Sequence, residues 1–405
     1  MLVEGKDLRK LWLEKGPGRT LHFISEGIQK GDFKPEDFSL RDMAENLIDN
    51  GRTFVSRLDP RRKTHLLMED AAYVDTSVFS SINRQIIFSA IKEAMSLDTL
   101  IGDYLCTTMP SNLQEDELIP GITVVADEHG DEVPEGVDYP LVGVAEEKVR
   151  IPRAEKHGAI IGITKEAIIA DRTGILLERA RSLGNSLAIR REKAIIDVVI
   201  GGVNPYVRND IARNTYANIA GTSYFDNIIT DALVNYTDIQ AAADLWYAMS
   251  EPNIGEPLMH DPDTLIVCPT LAWTAGAILT DTVLTLQQAV VRAAGAVEIK
   301  SQGVNRIPWK LTLRTNEWVT RRLLHHNGNG GLTTTTRDLA NAHWFIGKPT
   351  KAFVWKEIWP LDVEEAPVNN EAMFKADIVA RFKASYKGIA GVLEPRYMIR
   401  SDGTT

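Results

Sequence analysis

Two short clusters in this sequence carry side chains that could bind a metal ion or act as acids and bases. The first is the run DEHGDE at residues 127–132. Hard cations prefer carboxylate oxygens, but a calcium loop alternates its ligands and closes with a bidentate glutamate. This run has neither feature. The interpretation we prefer is a turn between two strands, with Gly130 at its tip.

The second cluster is the run HHNGNGG at residues 325–331. On a strand, His325 and His326 would point to opposite faces, so they are poorly placed to share one ion. The glycines do not lie between a strand and a helix, as a phosphate-binding loop requires. We interpret this run as a flexible loop.

No GxSxG elbow, P-loop or HExxH motif occurs anywhere in the chain. We therefore expect no catalytic residues, no cofactor and no metal site. A soluble metal-dependent enzyme that uses the two clusters above is kept as a remote alternative.

Charge is unevenly distributed along the chain. From Gln114 to Glu147 there are many aspartates and glutamates and no lysine or arginine. From Phe374 to Lys387, apolar and polar residues alternate strictly, which predicts a long strand with one buried face. The other face is largely cationic, and its basic residues are Lys375, Arg381, Lys383 and Lys387. This second face is either solvated or a partner for an acidic surface.

A long helix is the element around which the rest of the chain is arranged. The segment from Ile160 to Gly202 begins as a short strand, passes through a broken turn and continues as a helix of roughly 25 residues. Asp171 or Thr173 can cap its start, and Gly201 with Gly202 can end it. Its apolar face is predicted to contain Leu176, Ala180, Leu183, Leu187, Ala194 and Val198.

Helical and extended patterns also occur on both sides of this segment. The sequence predicts a helix starting at Ser39, a helical stretch from Ala71 to Ile101, a helix capped by Thr237, and a strand from Thr264 to Cys268 followed by another helix. The apolar faces of the second and third helices are expected to comprise Ile82, Ile86, Ile87, Ala90, Ile91, Ala94, Ile239, Ala242, Ala243, Trp246 and Met249. Most tryptophans follow residue 245, as core residues or as interface anchors.

Overall composition is that of a globular protein. The chain has 405 residues, of which 44% are hydrophobic and 25% charged, and its formal net charge is −10. An acidic protein is poorly suited to binding nucleic acid as its main function. The distant cysteines Cys106 and Cys268 are expected to be buried thiols. We expect no signal peptide and no membrane span.

The order of these segments resembles that of the major capsid proteins of tailed bacteriophages, whose fold is often called Hong Kong ninety-seven-like. Encapsulin nanocompartments share this fold. The resemblance covers roughly residues 66–400 and is carried by the phrases ITKEAIIADRTGILLERARSLGNSLAIRREKAIIDVVIGG, ALVNYTDIQAAADLWYAMS, DTLIVCPTLAWTAGAIL and FKADIVARFKASYKGIAGVLEPRYM. It implies an α+β capsid fold with a long spine helix, a peripheral-domain sheet, an axial domain, an extended β-hairpin loop and an N-terminal arm.

The resemblance also implies a division of the chain. The expected segments are an N-terminal helical extension at 1–65, an arm at 66–113, an extended acidic hairpin at 114–150, a peripheral domain with the spine helix at 151–235, an axial domain at 236–365, and a return strand with the C-terminus at 366–405. In this fold the hairpin lies across the adjacent subunit. Candidate inter-subunit contacts are therefore Glu128, Asp131 and Glu132 on the hairpin with Lys375, Arg381, Lys383 and Lys387 on the strand.

The function implied is mechanical. Copies of the chain would form hexamers and pentamers of an icosahedral shell around double-stranded DNA, made in the bacterial cytoplasm and ending in the virion. Portal and scaffold or decoration proteins are the other expected partners. The hairpin carries no lysine before Lys148, so the covalent cross-linking found in some relatives is not expected. An encapsulin-like compartment is the main alternative, although the N-terminal extension and the acidic hairpin favour the phage protein.

Overall fold

A computed structural model provides the fold. It describes residues 5–47, 77–120, 148–217, 225–249, 261–329 and 332–403, apart from short gaps. The gaps are 31, 33, 96–98, 165, 167, 169, 171–172, 281–282, 293–294, 305–306, 333 and 367–377.

Helices predominate in the N-terminal part of the described chain, and runs of strands are interspersed with helices after it. The α-helices are α1 (Gly5–Lys15), α2 (Pro17–Lys30), α3 (Leu40–Leu47), α4 (Ser77–Met95), α5 (Gly102–Leu105), α6 (Thr173–Val199), α7 (Tyr236–Ala248), α8 (Ala272–Thr280), α9 (Glu317–His325), α10 (Arg337–Ala342) and α11 (Pro349–Ala352).

The strands are β1 (Thr107–Pro110), β2 (Glu117–Pro120), β3 (Lys148–Ile151), β4 (Glu155–Thr164), β5 (Val207–Arg208), β6 (Ile211–Ala212), β7 (Ile228–Ile229), β8 (Thr264–Val267), β9 (Val283–Arg292), β10 (Gly295–Val304), β11 (Thr312–Thr315), β12 (Trp344–Gly347), β13 (Phe353–Glu365), β14 (Ile378–Val392) and β15 (Met398–Ser401). Short 3₁₀ turns occur at Pro35–Asp37, Pro269–Leu271 and Pro395–Tyr397.

The chain forms two compact units, and each is built from separated segments. The first unit comprises residues 1–98, 155–190 and 359–388, and the second comprises 99–154, 191–358 and 389–405. The helix α6 contributes Thr173–Arg190 to the first unit and Arg191–Val199 to the second.

The first unit packs helices against each other and a strand pair against α6. Buried apolar residues on α3 and α4 follow the helical period, and all six residues predicted for the α4 face are buried. Arg181 of α6 donates to Glu36 at 2.7 Å and lies 3.5 Å from Glu93, so the 3₁₀ turn at Pro35–Asp37 and α4 are both joined to α6. The predicted start at Ser39 is confirmed, since its hydroxyl accepts the Asp42 backbone N–H at 3.2 Å.

The helix α6 has 27 residues, close to the predicted length. Thr173 is its first residue, and the hydroxyl of Thr173 accepts the Leu40 backbone N–H at 2.9 Å. At the other end, Gly201 adopts a φ of 72°. The N–H of Gly202 binds the carbonyl of Asp197 at 2.9 Å and that of Gly201 binds Val198 at 3.1 Å. This is a Schellman ending, which confirms the predicted glycine stop.

The second unit contains a five-stranded sheet with order β11-β8-β12-β15-β7. Its apolar core joins Leu265 and Val267 of β8 to Trp344 and Ile346 of β12. The helices α7 and α8 pack on this core through their buried faces. All five residues predicted for the α7 face are buried, but the cap is Asn235 rather than Thr237. The Asn235 side chain accepts the Thr237 N–H, and Asp238 completes a capping box.

Residues near the C-terminus supply an inner strand of this sheet. Met398–Ser401 forms β15, which pairs antiparallel with β12 and parallel with β7. The sequence pattern predicts no strand there. The buried side chain of Asn227 ties the strand down, because its amide donates to the carbonyls of Thr215, Pro395 and Met398 at 3.0 to 3.1 Å. The short strands β5, β6 and β7 lie in the connection between α6 and α7.

Candidate functional site

The base of the acidic segment is a strand pair. The strand β2 pairs antiparallel with β3, with Glu117 opposite Ile151 and Pro120 opposite Lys148. This pair continues into β5 and β6, so the sheet order is β2-β3-β5-β6. Residues 121–147, which link β2 to β3, lie outside the described residues. The predicted turn at Gly130 and the candidate contacts Glu128, Asp131 and Glu132 fall within that segment.

Several polar contacts hold β2 and β3, the two strands that flank residues 121–147. Lys356 has a fully buried side chain, and its ammonium donates to the Glu115 carbonyl at 2.8 Å and lies 3.2 Å from the Glu117 carboxylate. On the other side, Arg150 pairs with Asp210, in the turn between β5 and β6. A buried cation with a carboxylate and a carbonyl as partners holds a strand in one register. The base of the acidic segment is therefore firmly positioned.

The predicted alternation on β14 is confirmed on its apolar face. Phe382, Ala384 and Tyr386 are buried. The Tyr386 hydroxyl lies 3.5 Å from the Leu187 carbonyl of α6, so this face of the strand packs beneath the long helix. The strand runs Ile378–Val392, further toward the C-terminus than the sequence predicts.

The cationic face of β14 is less exposed than the alternation predicts. Lys387 is only 8% exposed, and its ammonium lies 5.3 Å from the centre of the Trp359 ring. Lys156 stands opposite Lys387 on β4 and lies 5.7 Å from the same ring. Two like charges opposed across a strand pair repel each other. The ring of Trp359 offsets this repulsion through cation–π attraction.

The other predicted cations differ in how they are held. Lys383 pairs with Glu364 of the same chain. Arg381 is partly exposed and stands opposite Gly162 of β4. Lys375 lies outside the described residues. The described part of β14 thus brings three of the four predicted cations onto one strand, and two of them have partners within their own subunit.

The two histidines of the second cluster lie at the end of a helix, not on a strand. The apolar period of Val319 and Leu323 continues α9 as far as His325, and Asn316 caps its start by accepting the Trp318 N–H at 2.9 Å. A structured turn follows, in which Gly328 has a φ of 87°. The interpretation of residues 325–331 as a flexible loop is therefore wrong for His325, which belongs to α9, and His326 lies in the turn that follows it. Residues 330 and 331 lie outside the described residues.

His326 belongs to a buried charge cluster rather than a metal site. Arg322 makes two hydrogen bonds with the Asp197 carboxylate, at 2.5 and 2.6 Å. The Nε2 atom of His326 lies 3.0 Å from both of these partners. Burial, together with the charge of Arg322, holds the pKa of His326 below its usual value despite the nearby Asp197 carboxylate. The cluster joins the end of α6 to α9.

Glu192 is a buried carboxylate that lies in neither of the two sequence clusters described above. Its two oxygens accept the backbone N–H groups of Ile101 at 2.9 Å and Gly102 at 2.7 Å, and the Asn316 amide at 2.8 Å. The same amide of Asn316 also donates to the Thr99 carbonyl at 3.0 Å. Burial raises the pKa of Glu192, although the two N–H donors act in the opposite direction. One carboxylate therefore connects α6, the start of α5 and the cap of α9.

Further buried charges lie near the C-terminus. Arg396 pairs with Glu394 at 2.7 Å, and Arg400 donates to Asp402 at 2.9 Å. Burial opposes ionisation of Asp402, but the His343 ring at 3.4 Å and the charge of Arg400 outweigh it and lower the pKa of Asp402. Arg400 lies on β15, and Arg396 lies in the 3₁₀ turn that precedes this strand.

The two cysteines are unpaired and buried, as the sequence predicts. Burial raises the pKa of Cys106 to about 12 and that of Cys268 to about 11. Both thiols therefore stay protonated at neutral pH and are poor nucleophiles. Among the described residues, no group of three or more His, Cys, Asp or Glu side chains is arranged to hold a metal ion.

Comparison with protein families gives one match. Residues 147–401, more than half of the chain, match the family model described as phage capsid protein. The chain belongs to the phage capsid protein family. A comparison with curated protein sequences found no match.

Solved structures similar to this capsid protein include those of two phages and one virus-like particle. A chain of Mycobacterium phage Ogopogo is 15% identical, with a TM-score of 0.40 over 74% of this chain and 91% of that chain. The capsid structure of cyanophage P-SCSP1u is 13% identical, with a TM-score of 0.41 over 73% and 86%. The virus-like particle from Pyrococcus furiosus is 10% identical, with a TM-score of 0.38 over 78% and 97%. The family assignment rests on the match over 147–401.

A capsid protein acts through contacts between its copies. In the described part of the chain, no helix is both long enough and apolar enough to cross a membrane.

Proposed function

We propose that this chain is the major capsid protein of a tailed bacteriophage, and that its copies form the hexamers and pentamers of an icosahedral shell around double-stranded DNA. The observation that carries the proposal is the family match over residues 147–401. A closed shell repeats the same weak contacts over many copies, and symmetry fixes the geometry. The net charge of −10 suits a wall that lies beside packed DNA without binding it tightly.

The finer organisation belongs to the same proposal. The acidic hairpin at 114–150 would extend to a neighbour, the segment 236–365 would be the axial domain, and 1–65 would be the N-terminal extension. Portal and scaffold or decoration proteins are the proposed additional partners. No catalytic step is part of the proposed role, which follows from the family match.

Electron microscopy and sedimentation of the purified protein test this proposal. We expect closed shells, or rings of five and six copies, when the chain is expressed alone or with the neighbouring genes. Shells that contain DNA when those genes are present support the phage role. Shells that instead hold a cargo enzyme indicate an encapsulin-like compartment. A chain that remains a monomer or dimer under both conditions contradicts the proposal.

We further propose that the acidic hairpin docks on the β14 strand of a neighbouring copy. Lys383 and Lys387 already interact with Glu364 and Trp359 in their own subunit. Arg381, which is partly exposed, and Lys375 are therefore the cations on which this docking mainly depends. Complementary charge at such a contact sets register and partner choice more than affinity.

Reversing three charges on the hairpin is expected to impair assembly without unfolding the subunit. The variant Glu128→Lys, Asp131→Lys and Glu132→Lys places like charges opposite the β14 cations, so we expect a fall of about tenfold or more in particle yield. The subunit's unfolding midpoint should stay unchanged. Adding Lys375→Glu and Arg381→Glu restores opposite charges and should recover assembly. Unchanged yield in the triple variant, or no recovery in the charge-swapped one, contradicts this docking.

A further inference from the structure

The helix α8 carries an exposed apolar face. Its sequence, AWTAGAILT, contains no charged residue. Ala275 and Ile278 are buried against the core of the five-stranded sheet, whereas Trp273 on the opposite side is 88% exposed. Near Trp273, Ala277 is exposed and a Cβ atom added at Gly276 would contact nothing within 4 Å. A helix that is apolar all round is normally buried, so this face requires a cover.

An aromatic groove lies elsewhere on the same unit. It has a volume of about 240 Å³ and lies between the outer side of α7 and the segment 307–309. Tyr247 and Trp309 form one wall, with their ring centres 6.3 Å apart. Gln240 and Asp244 are exposed at its rim and supply polar acceptors. Tyr247 is itself 56% exposed.

The indole side chain of Trp273 and the aromatic groove match in size and in polarity. A cavity of roughly 150 Å³ accommodates a benzene molecule, so this groove has room for an indole ring. Indole prefers aromatic neighbours at edge or offset geometry. Its N–H is a donor only, and the carboxylate of Asp244 is an acceptor. An uncharged helix face with small residues around the tryptophan allows a neighbouring surface to approach closely.

Ring symmetry gives the reason to assign the cover to another copy. In a ring, each copy contacts the next through two different patches, one on each side. The second unit carries two different patches, an exposed apolar anchor on α8 and an aromatic groove on α7. We infer that Trp273 of one copy inserts into the groove lined by Tyr247 and Trp309 of the next copy. This inference rests on the proposed function, since it presupposes rings of the capsid protein.

Substitution of the anchor provides the first test. Trp273→Ala is expected to lower the yield of rings and shells at least about tenfold, which corresponds to about 1.4 kcal/mol per contact. Trp273→Phe should retain part of the yield, because it keeps an aromatic ring without the N–H donor. The matched control is Val234→Ala, at a position that is 66% exposed in the same unit, and it should assemble normally. None of these changes should move the subunit's unfolding midpoint.

Cross-linking provides a second test that leaves Trp273 in place. Cys106 and Cys268 are buried, so cysteines added at exposed positions are the reactive thiols. With Ala277→Cys and Gln240→Cys in one chain, a short bifunctional maleimide should join copies into a ladder that ends at five or six. With Ala277→Cys and Val234→Cys, the ladder should be absent.

The outcomes separate this inference from the proposed function. If the unmodified chain forms no rings or shells, the proposed function fails before the variants are compared. If it does form them, and Trp273→Ala assembles as well as the unmodified chain, the inference alone is wrong. Equal cross-linking by the two cysteine pairs also overturns it.

Discussion

Replacing Glu192 with alanine is expected to lower the free energy of unfolding of the capsid protein by about 2 to 5 kcal/mol. Glu192 is 3% exposed and accepts hydrogen bonds from Ile101, Gly102 and Asn316. Its removal leaves the buried N–H groups of Ile101 and Gly102 without this acceptor, whereas the Asn316 amide keeps its bond to the Thr99 carbonyl. Each unsatisfied donor costs about 1 to 3 kcal/mol. The buried carboxylate is lost at the same time, which offsets part of this cost.

Urea denaturation of the unassembled subunit measures this effect. The matched control is Glu178→Ala, because Glu178 is an exposed glutamate on the same helix. An exposed substitution of this kind should change stability by no more than about 0.5 kcal/mol. Glu192→Gln should fall between the two, since an amide retains one acceptor oxygen but places an NH₂ group against a donor. Equal stability of the Glu192→Ala and Glu178→Ala variants would show that the carboxylate does not join these segments.

The pH dependence of stability, compared between the unmodified protein and the Glu192→Gln variant, gives an independent check. Burial raises the pKa of Glu192 in the folded protein, so the folded chain binds this proton more tightly than the unfolded chain. The linked stability is therefore complete below the unfolded value of about 4.3 and is lost as the pH rises through the folded pKa. The stability of the unmodified protein relative to Glu192→Gln should accordingly decrease as the pH rises from about 4. A relative stability that increases over this range contradicts the assignment.

The long elements were predictable because their signal is local. The faces of α4 and α7 repeat at the helical period, and every predicted face residue on them is buried. For α6, a capping glycine at Gly201 and a long periodic run define its C-terminal end and its length. Burial of an amphipathic face leaves a repeating pattern in the sequence.

Buried polar residues were not predictable in the same way, because their partners are distant in sequence. Glu192 binds groups about ninety residues before it and Asn316 far after it. A weak signal does exist. Glu192 interrupts an apolar stripe of α6 formed by Ala188, Ile195, Ile196 and Val199, all of which are buried. A lone carboxylate within such a stripe indicates either a buried hydrogen-bond site or a functional group.

The cationic face of β14 shows the limit of a two-residue alternation. The pattern shows that one face is buried, and Phe382 and Tyr386 confirm it. The pattern carries no information on what covers the second face. Trp359 of β13 covers Lys387 there, and Glu364 pairs with Lys383. These contacts depend on strand order, which alternation alone does not determine.

The substitution Gly184→Ala is expected to destabilise the first unit by about 1 to 3 kcal/mol, the opposite of its usual effect in a helix. Alanine in a helix interior normally stabilises by up to about 1 kcal/mol relative to glycine. At Gly184, an added Cβ would lie 2.6 Å from the Ile91 carbonyl oxygen and 2.9 Å from the Ala94 Cβ. Backbone atoms of α4 cannot retreat as a flexible side chain could, so α4 must shift away from α6.

Gly174, a second glycine of α6, provides the matched control for Gly184→Ala. A Cβ added at Gly174 would contact nothing within 4 Å, so Gly174→Ala should be neutral or slightly stabilising. Thermal unfolding and hydrogen exchange at α4 measure both variants. We expect faster exchange of the α4 amides in Gly184→Ala and unchanged exchange in Gly174→Ala. If both variants are equally stable, α4 does not pack as closely on α6 as the structure indicates. If only Gly184→Ala loosens α4, the close approach of the two helices at Gly184 is what holds α4 to α6, beside the ion pair between Arg181 and Glu93.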